Sequence, residues 1–80
     1  MSMRKFVSEL KGKPVMTDKG MLLGVVSNFV VETDTGQVNH ILITPDDSLD
    51  TSQYQKDAQG RLAIPFKTLK SVSDVVVVAI

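Results

Sequence analysis

The chain has 80 residues and a mass of 8.7 kDa, a length that predicts a single domain spanning residues 1–80. It contains no cysteine, which excludes disulfides and thiolate metal sites. Nine basic and nine acidic residues balance to a formal net charge of zero, so composition gives no reason to expect a nucleic acid as partner.

The N-terminal segment carries apolar residues at helical spacing, although a strand followed by a turn fits them as well. These residues are Met3, Phe6, Val7 and Leu10. The segment lacks the apolar core of a signal peptide, and the longest apolar run, residues 75–80, is far shorter than the ~20 residues that span a bilayer. We therefore predict a cytoplasmic protein without direct membrane insertion.

Turn signals divide the rest of the chain into short runs rich in β-branched residues. The runs are residues 15–17, 22–32, 37–44, 61–66 and 75–80. Glycine-containing turns at residues 33–36 and 57–60 predict two hairpins. Several short strands at this spacing favour a small sandwich or barrel, so the predicted fold class is all-β.

The run from residue 22 to residue 32 is long for one strand, and neither of its alternating faces is cleanly apolar. A bulge near Gly24 or near Ser27 and Asn28 would change which face points inward. Strand bends of this kind allow small sheets to curve into barrels. We expect such a bend here.

The last strand is apolar on both faces, with Val75, Val77 and Ala79 on one face and the alternate residues on the other. One face is expected to fill the interior and the other to contact a second copy of the chain or another protein. The partner-binding residues predicted on this strand are Val76, Val78 and Ile80. The alternative is that the strand packs under a loop of its own chain.

The segment 45–53 has no strand pattern but contains Leu49 and leads to Tyr54, the only tyrosine. Loops with apolar anchors are often binding elements, and tyrosine is favoured at interfaces. Both residues are therefore candidate partner-binding residues, with a lid on the barrel end as the alternative. The acidic residues in this loop lack the spacing of a calcium-binding loop, and Asp46 is predicted to cap a helical turn.

No residue pattern in the chain points to catalysis. No serine lies in a G-x-S-x-G motif, no phosphate-binding glycine motif occurs, and His40 is the only histidine. We therefore predict no catalytic residues, no metal site, no cofactor and no enzymatic activity. Basic residues are scattered and aromatic residues few, so no nucleic-acid partner is expected.

The order of these turns and strands resembles the PRC-barrel family. The resemblance is carried by Ser-Glu-Leu-Lys-Gly-Lys-Pro-Val at residues 8–15, by residues 18–20, 23–26, 35–38 and 64–66, by Leu69, and by residues 73–77. It covers almost the whole chain and implies a small six-stranded β-barrel with one or two short helical turns. The family is one of scaffolds and adaptors, so the resemblance implies no catalytic residues.

The segment from Leu49 through Tyr54 to Phe66 looks most like the stand-alone archaeal members of the family. That resemblance implies a homodimeric adaptor in cell division, recruited to the division site, which binds the membrane anchor of the FtsZ ring or another PRC-barrel protein. The alternative is a module like the domain of a ribosome maturation factor, which binds a small-subunit ribosomal protein.

Overall fold

The computed structural model describes residues 8–80, which form strands with short helical turns between them. The strands are β1 (Pro14–Thr17), β2 (Leu22–Val31), β3 (Val38–Pro45), β4 (Leu62–Pro65), β5 (Leu69–Val72) and β6 (Val76–Val78). Two 3-10 helices span Thr51–Gln53 and Phe66–Thr68, and residues 8–10 are helical. The prediction of an all-β fold with six strands and short helical turns is confirmed.

The six strands form one sheet in the order β4-β3-β2-β1-β6-β5. Strands β1 and β6 are parallel, and the other neighbouring pairs are antiparallel. Strand β6 therefore lies inside the sheet, and β4 and β5 lie at its edges. Among residues 8–80, no helix has the length and apolarity that crossing a lipid bilayer would demand.

The predicted closed barrel is not formed by the described residues, because β4 and β5 do not pair with each other. The outer edge of β4 already contacts the preceding segment. The Ala63 amide donates a hydrogen bond of 2.8 Å to the Gln55 carbonyl, and Lys56 forms a bridge with Leu62. The 3-10 helix Phe66–Thr68 then leads the chain from β4 to β5 at the opposite edge.

Strand β2 bends where the sequence analysis predicts. Its pairing with β3 shifts register between Val26 and Asn28, so Ser27 is the bulged residue. At Gly24 the strands approach so closely that an ideal Cβ would lie 2.0 Å from the carbonyl oxygen of Thr44. The hairpin predicted at residues 33–36 is also present, closed by the Glu32 amide donating to the Gln37 carbonyl at 2.8 Å.

The inward-facing side chains form one apolar core. Its members are Leu10, Val15, Leu23, Val26, Phe29, Val38, Ile41, Ile43, Leu62, Ile64, Val76 and Val78. Leu10, one of the four apolar residues at helical spacing, packs in this core, whereas Met3, Phe6 and Val7 lie outside the described residues. Every strand except β5 therefore contributes buried residues to the core, and the residues of β5 are exposed or half-buried.

Candidate protein-interaction surface

Adjoining depressions form a groove beside the loop that follows β3. One depression, of about 330 Å³, is lined by Leu49 and Asp50, and another, of about 490 Å³, is lined by Lys19 and Ile80. Both are also lined by Met21, Gln53 and Tyr54, so they are continuous. We call this surface the Tyr54 groove.

Tyr54 is held in the groove by the 3-10 helix that precedes it. It follows the last residue of Thr51–Gln53, and its amide donates to the Thr51 carbonyl at 3.1 Å. Its ring packs against the core, while its hydroxyl donates to Met21 Sδ at 3.7 Å. Leu49 also packs against the core and is half-buried. Both residues thus cover the end of the core and line the groove.

Met21 is the most exposed large apolar side chain in the part of the chain that the structure describes, at 52% exposure. It follows the tight turn after β1. The buried Thr17 hydroxyl accepts hydrogen bonds from the amides of Lys19 and Met21, at 3.2 Å and 3.1 Å. Sequence analysis missed this residue because a single apolar side chain after a Gly-containing turn has no periodicity.

The acidic loop, residues 46–50, borders the groove at the Leu49 end. Asp46 accepts hydrogen bonds from the Ser48 hydroxyl and from the Ser48 amide at 3.1 Å, and these bonds hold the pKa of Asp46 below its ordinary value. Asp50 caps the 3-10 helix by accepting from the Ser52 amide at 3.1 Å. Bonds from Ser52, with a smaller effect of the Lys56 charge, lower the pKa of Asp50 as well.

Comparison with known proteins assigns the family. The family model described as the PRC-barrel domain matches residues 3–80, nearly the whole chain. The chain belongs to the PRC-barrel family.

One solved structure similar to this PRC-barrel domain is a protein of Pseudomonas aeruginosa described as a 16S ribosomal RNA processing protein, RimM. The two share 21% sequence identity and superpose with a TM-score of 0.64. The match covers 92% of this chain but 42% of the RimM chain, so the PRC-barrel domain spans less than half of that protein. The likeness therefore shows a shared fold. Among curated proteins, none matches this chain significantly.

The structure places three of the five predicted partner-binding residues together. Leu49, Tyr54 and Ile80 all line the Tyr54 groove, where Ile80 is 38% exposed. Val76 and Val78 lie elsewhere: both are 0% exposed and belong to the core of the PRC-barrel domain. Side chains buried in the monomer are not available to a partner, so these two residues are removed from the candidate surface.

The opposite face of β6 points outward from the PRC-barrel domain. Val77 pairs with Met16 of β1, and Met16 pairs in turn with Leu22 of β2. Pro14 and Val25 continue this apolar strip, with Leu22 and Val25 exposed at 42% and 43%. We call these five residues the outward strip. The expectation that one face of the last strand fills the interior holds. The inward face is that of Val76 and Val78, which the sequence analysis assigned to a partner contact, and the outward face is that of Val77.

The hairpin before β4 is held together by the ion pair of Asp57 and Arg61. Their closest side-chain contact is 2.7 Å, and Asp57 also accepts hydrogen bonds from the Arg61 and Gln59 amides at 2.8 Å and 3.0 Å. Desolvation alone would raise the pKa of Asp57, but these bonds and the Arg61 charge outweigh it and lower the pKa. The hairpin thereby supports the segment beside Tyr54.

The groups that line the Tyr54 groove are mostly apolar or uncharged. They are a thioether, a phenol, aliphatic chains, two glutamine amides and the hydroxyls of Ser48 and Thr17, with the charges of Asp50 and Lys19 near the ends. His40 lies on β3 opposite Val30 and Pro65 and is not itself one of the groove-lining residues. Within residues 8–80, no three His, Cys, Asp or Glu side chains are grouped so as to hold a metal ion.

Proposed function

We propose that this PRC-barrel domain is a non-enzymatic adaptor that binds a segment of another protein in the Tyr54 groove. The observation that carries the proposal is the continuous groove, in which Met21 and Ile80 are exposed beside Leu49 and Tyr54. Apolar surface rimmed by polar residues is typical of interaction sites. Methionine and tyrosine are enriched at the centres of protein interfaces.

The fold gives these side chains fixed positions. Leu49 and Tyr54 pack against the core, and Met21 follows a turn closed by the buried Thr17 hydroxyl. A partner segment would therefore bind preformed apolar groups, which lowers the entropy cost of association.

The groove is tested by the substitution Met21→Ala. We expect a loss of affinity of about tenfold or more for a groove-binding segment, because Met21 is the most exposed apolar side chain of the groove and truncating a hot-spot residue costs about 2 kcal/mol or more. The thermal midpoint is expected to stay unchanged, because Met21 is half exposed and is not part of the core cluster. The measurement is the dissociation constant, by calorimetry, of peptides selected from a random library on the wild-type chain.

Val30→Ala is the matched control, because Val30 is an exposed apolar residue of β2, at 41%, that does not line the groove. It is expected to leave peptide affinity unchanged. Equal affinity of the Met21→Ala and Val30→Ala variants would refute binding in the groove.

The biological setting that we propose first is archaeal cell division, with the membrane anchor of the FtsZ ring or another PRC-barrel protein as partner and the division site as location. It is supported by the sequence resemblance to stand-alone archaeal family members. The second setting is ribosome maturation, with a small-subunit ribosomal protein as partner. It is favoured by the structural likeness to RimM, at 21% identity.

Affinity capture from the host lysate separates the two settings when the Met21→Ala variant serves as the control. Division proteins that the wild type retains and the variant loses would support the adaptor in cell division. Small-subunit ribosomal proteins with the same dependence on Met21 would support ribosome maturation. Ribosomal proteins that bind both forms equally and dissociate at moderate salt would be non-specific polyelectrolyte contacts and would count against it.

We also propose that the chain forms a homodimer through the outward strip. Val77, Met16 and Leu22 are paired neighbours on three strands, and they present a continuous apolar face. The same face on a second copy would bury these side chains by an isologous contact. Because Leu22 and Val25 also line the depression beside the acidic loop, a second copy and a bound partner segment would compete for that part of the surface. The test is the oligomeric state of the Val77→Asp variant.

A further inference from the structure

We infer that the Tyr54 groove selects an extended protein segment that carries basic side chains beside its apolar anchors, with the basic side chains lying at the acidic loop. This inference rests on the proposed function, because it specifies the partner of the same groove.

The apolar path of the groove continues past the acidic loop. A further depression beside Leu22 and Val25 is also lined by Asp46 and Asp47, and Leu22 is shared with the depression that contains Tyr54. Three carboxylates, those of Asp46, Asp47 and Asp50, therefore lie along the groove on one side of its apolar centre at Met21 and Tyr54. At the far end, beside Ile80, the charged residue is Lys19.

The acidic loop forms no ion pair within residues 8–80, although the charge of Lys56 acts on Asp50. Within residues 8–80 the ion pairs are Arg61 with Asp57 and Lys70 with Asp18, and neither involves this loop. Lys56, the nearby cation, points its amino group at the Thr51 carbonyl, at 3.2 Å. The hydrogen bonds from Ser48 and Ser52 lower the pKa of Asp46 and of Asp50, respectively.

Charge complementarity then determines the occupant. A segment with apolar side chains alone would place no opposite charge beside the three carboxylates, and an acidic segment would be repelled by them. A lysine or arginine beside the apolar anchors would place its charge at the loop while its aliphatic stem extends the apolar contact. The groove therefore fits a basic and apolar segment, lying with its basic side chains toward residues 46–50.

The test uses asparagine substitutions that remove charge and keep the local structure. In the loop variant, Asp46→Asn, Asp47→Asn and Asp50→Asn are combined, since asparagine caps helical turns as well as aspartate does. In the control variant, Glu32→Gln, Asp34→Asn and Asp74→Asn remove the same number of charges at exposed sites outside the groove. The net charge of the two variants is equal, so a difference between them reports the position of the charges.

The probes are peptides selected from a random display library on the wild-type chain, sorted by whether Met21→Ala weakens their binding. We expect the Met21-dependent peptides to be enriched in lysine or arginine next to apolar residues. Their affinity should fall about tenfold in the loop variant, because three exposed charge contacts are removed, and should stay unchanged in the control variant.

The outcomes separate this inference from the proposed function. Met21-dependent peptides that are neutral or acidic, or that bind the loop variant as tightly as the wild type, would overturn the basic preference and leave the groove proposal in place. Equal losses in the loop and control variants would show an effect of net charge and would also overturn it. If no selected peptide depends on Met21, both proposals fail.

Discussion

Replacing Val78 with aspartate is expected to unfold the protein, whereas the same substitution at Val77 leaves it folded. Val78 is 0% exposed and pairs with the buried Thr17 in the middle of the sheet. An ionised carboxylate without a partner at this position would cost about 4 kcal/mol or more. That is comparable to the whole stability expected of so small a domain, on the order of 4–12 kcal/mol. Far-ultraviolet circular dichroism and urea denaturation measure the effect.

Val77→Asp is the matched control on the adjacent residue of the same strand. Val77 points outward and is half-buried, so water can solvate the new carboxylate. If the outward strip forms the homodimer contact, light scattering should show a dimeric wild type and a folded, monomeric Val77→Asp variant. A monomeric wild type would refute the dimer, and equal destabilisation by the two substitutions would contradict the assignment of the β6 faces.

Gly24→Ala is expected to have the second largest effect on stability, a loss of about 3 kcal/mol or more. Gly24 has φ of +152°, and a Cβ there would lie 2.0 Å from the Thr44 oxygen and 2.9 Å from the Thr44 carbonyl carbon. Both are backbone atoms of β3, so the clash is relieved only by separating the strands. Backbone strain and overpacking each cost about 1–3 kcal/mol. The free energy of unfolding in urea is the quantity to measure.

Gly36→Ala provides the comparison, because its φ of 72° is also positive but a Cβ there would have no heavy atom within 4 Å. It is expected to cost about 1 kcal/mol, from backbone strain alone. A loss for Gly24→Ala no larger than that for Gly36→Ala would contradict the close approach of β2 and β3. Because the Asp46 amide donates to the Leu23 carbonyl at 2.9 Å beside this contact, Gly24→Ala is also expected to displace the acidic loop.

Local patterns were sufficient to predict β1 to β4 and the hairpin at residues 33–36, because turn residues and alternation act over a few neighbours. They also predicted a bulge in β2, with Gly24 and the pair Ser27 and Asn28 as alternative positions. Strand β5 was missed. The runs predicted from the sequence end at residue 66 and resume at residue 75, since Lys70 and Ser71 interrupt any apolar pattern. The strand exists because it pairs with β6, with an irregular register at Lys70. That pairing has no local signal.

The sequence also did not show which face of β6 points inward. Valine occupies residues 75–78 without a break, so alternation gives two equivalent faces and no means of choosing between them. The choice is made by the parallel pairing with β1, which places Val76 beside Val15 and Val78 beside Thr17. The groove could be predicted only in part. Leu49 and Tyr54 were predictable from the loop sequence, whereas Met21 lies beside them only because of the tertiary fold.

The position of β6 has a consequence for how the protein is made. Strand β6 follows all the others in sequence, yet it lies between β1 and β5 and pairs with residues near the other end of the described chain. Contacts between such distant segments slow folding. During synthesis, β6 can pair with β1 and β5 only after residue 78 has left the ribosome, so this pairing completes the sheet last. Until then Val15 of β1 and Leu69 of β5 lack the β6 residues with which they pair in the complete sheet.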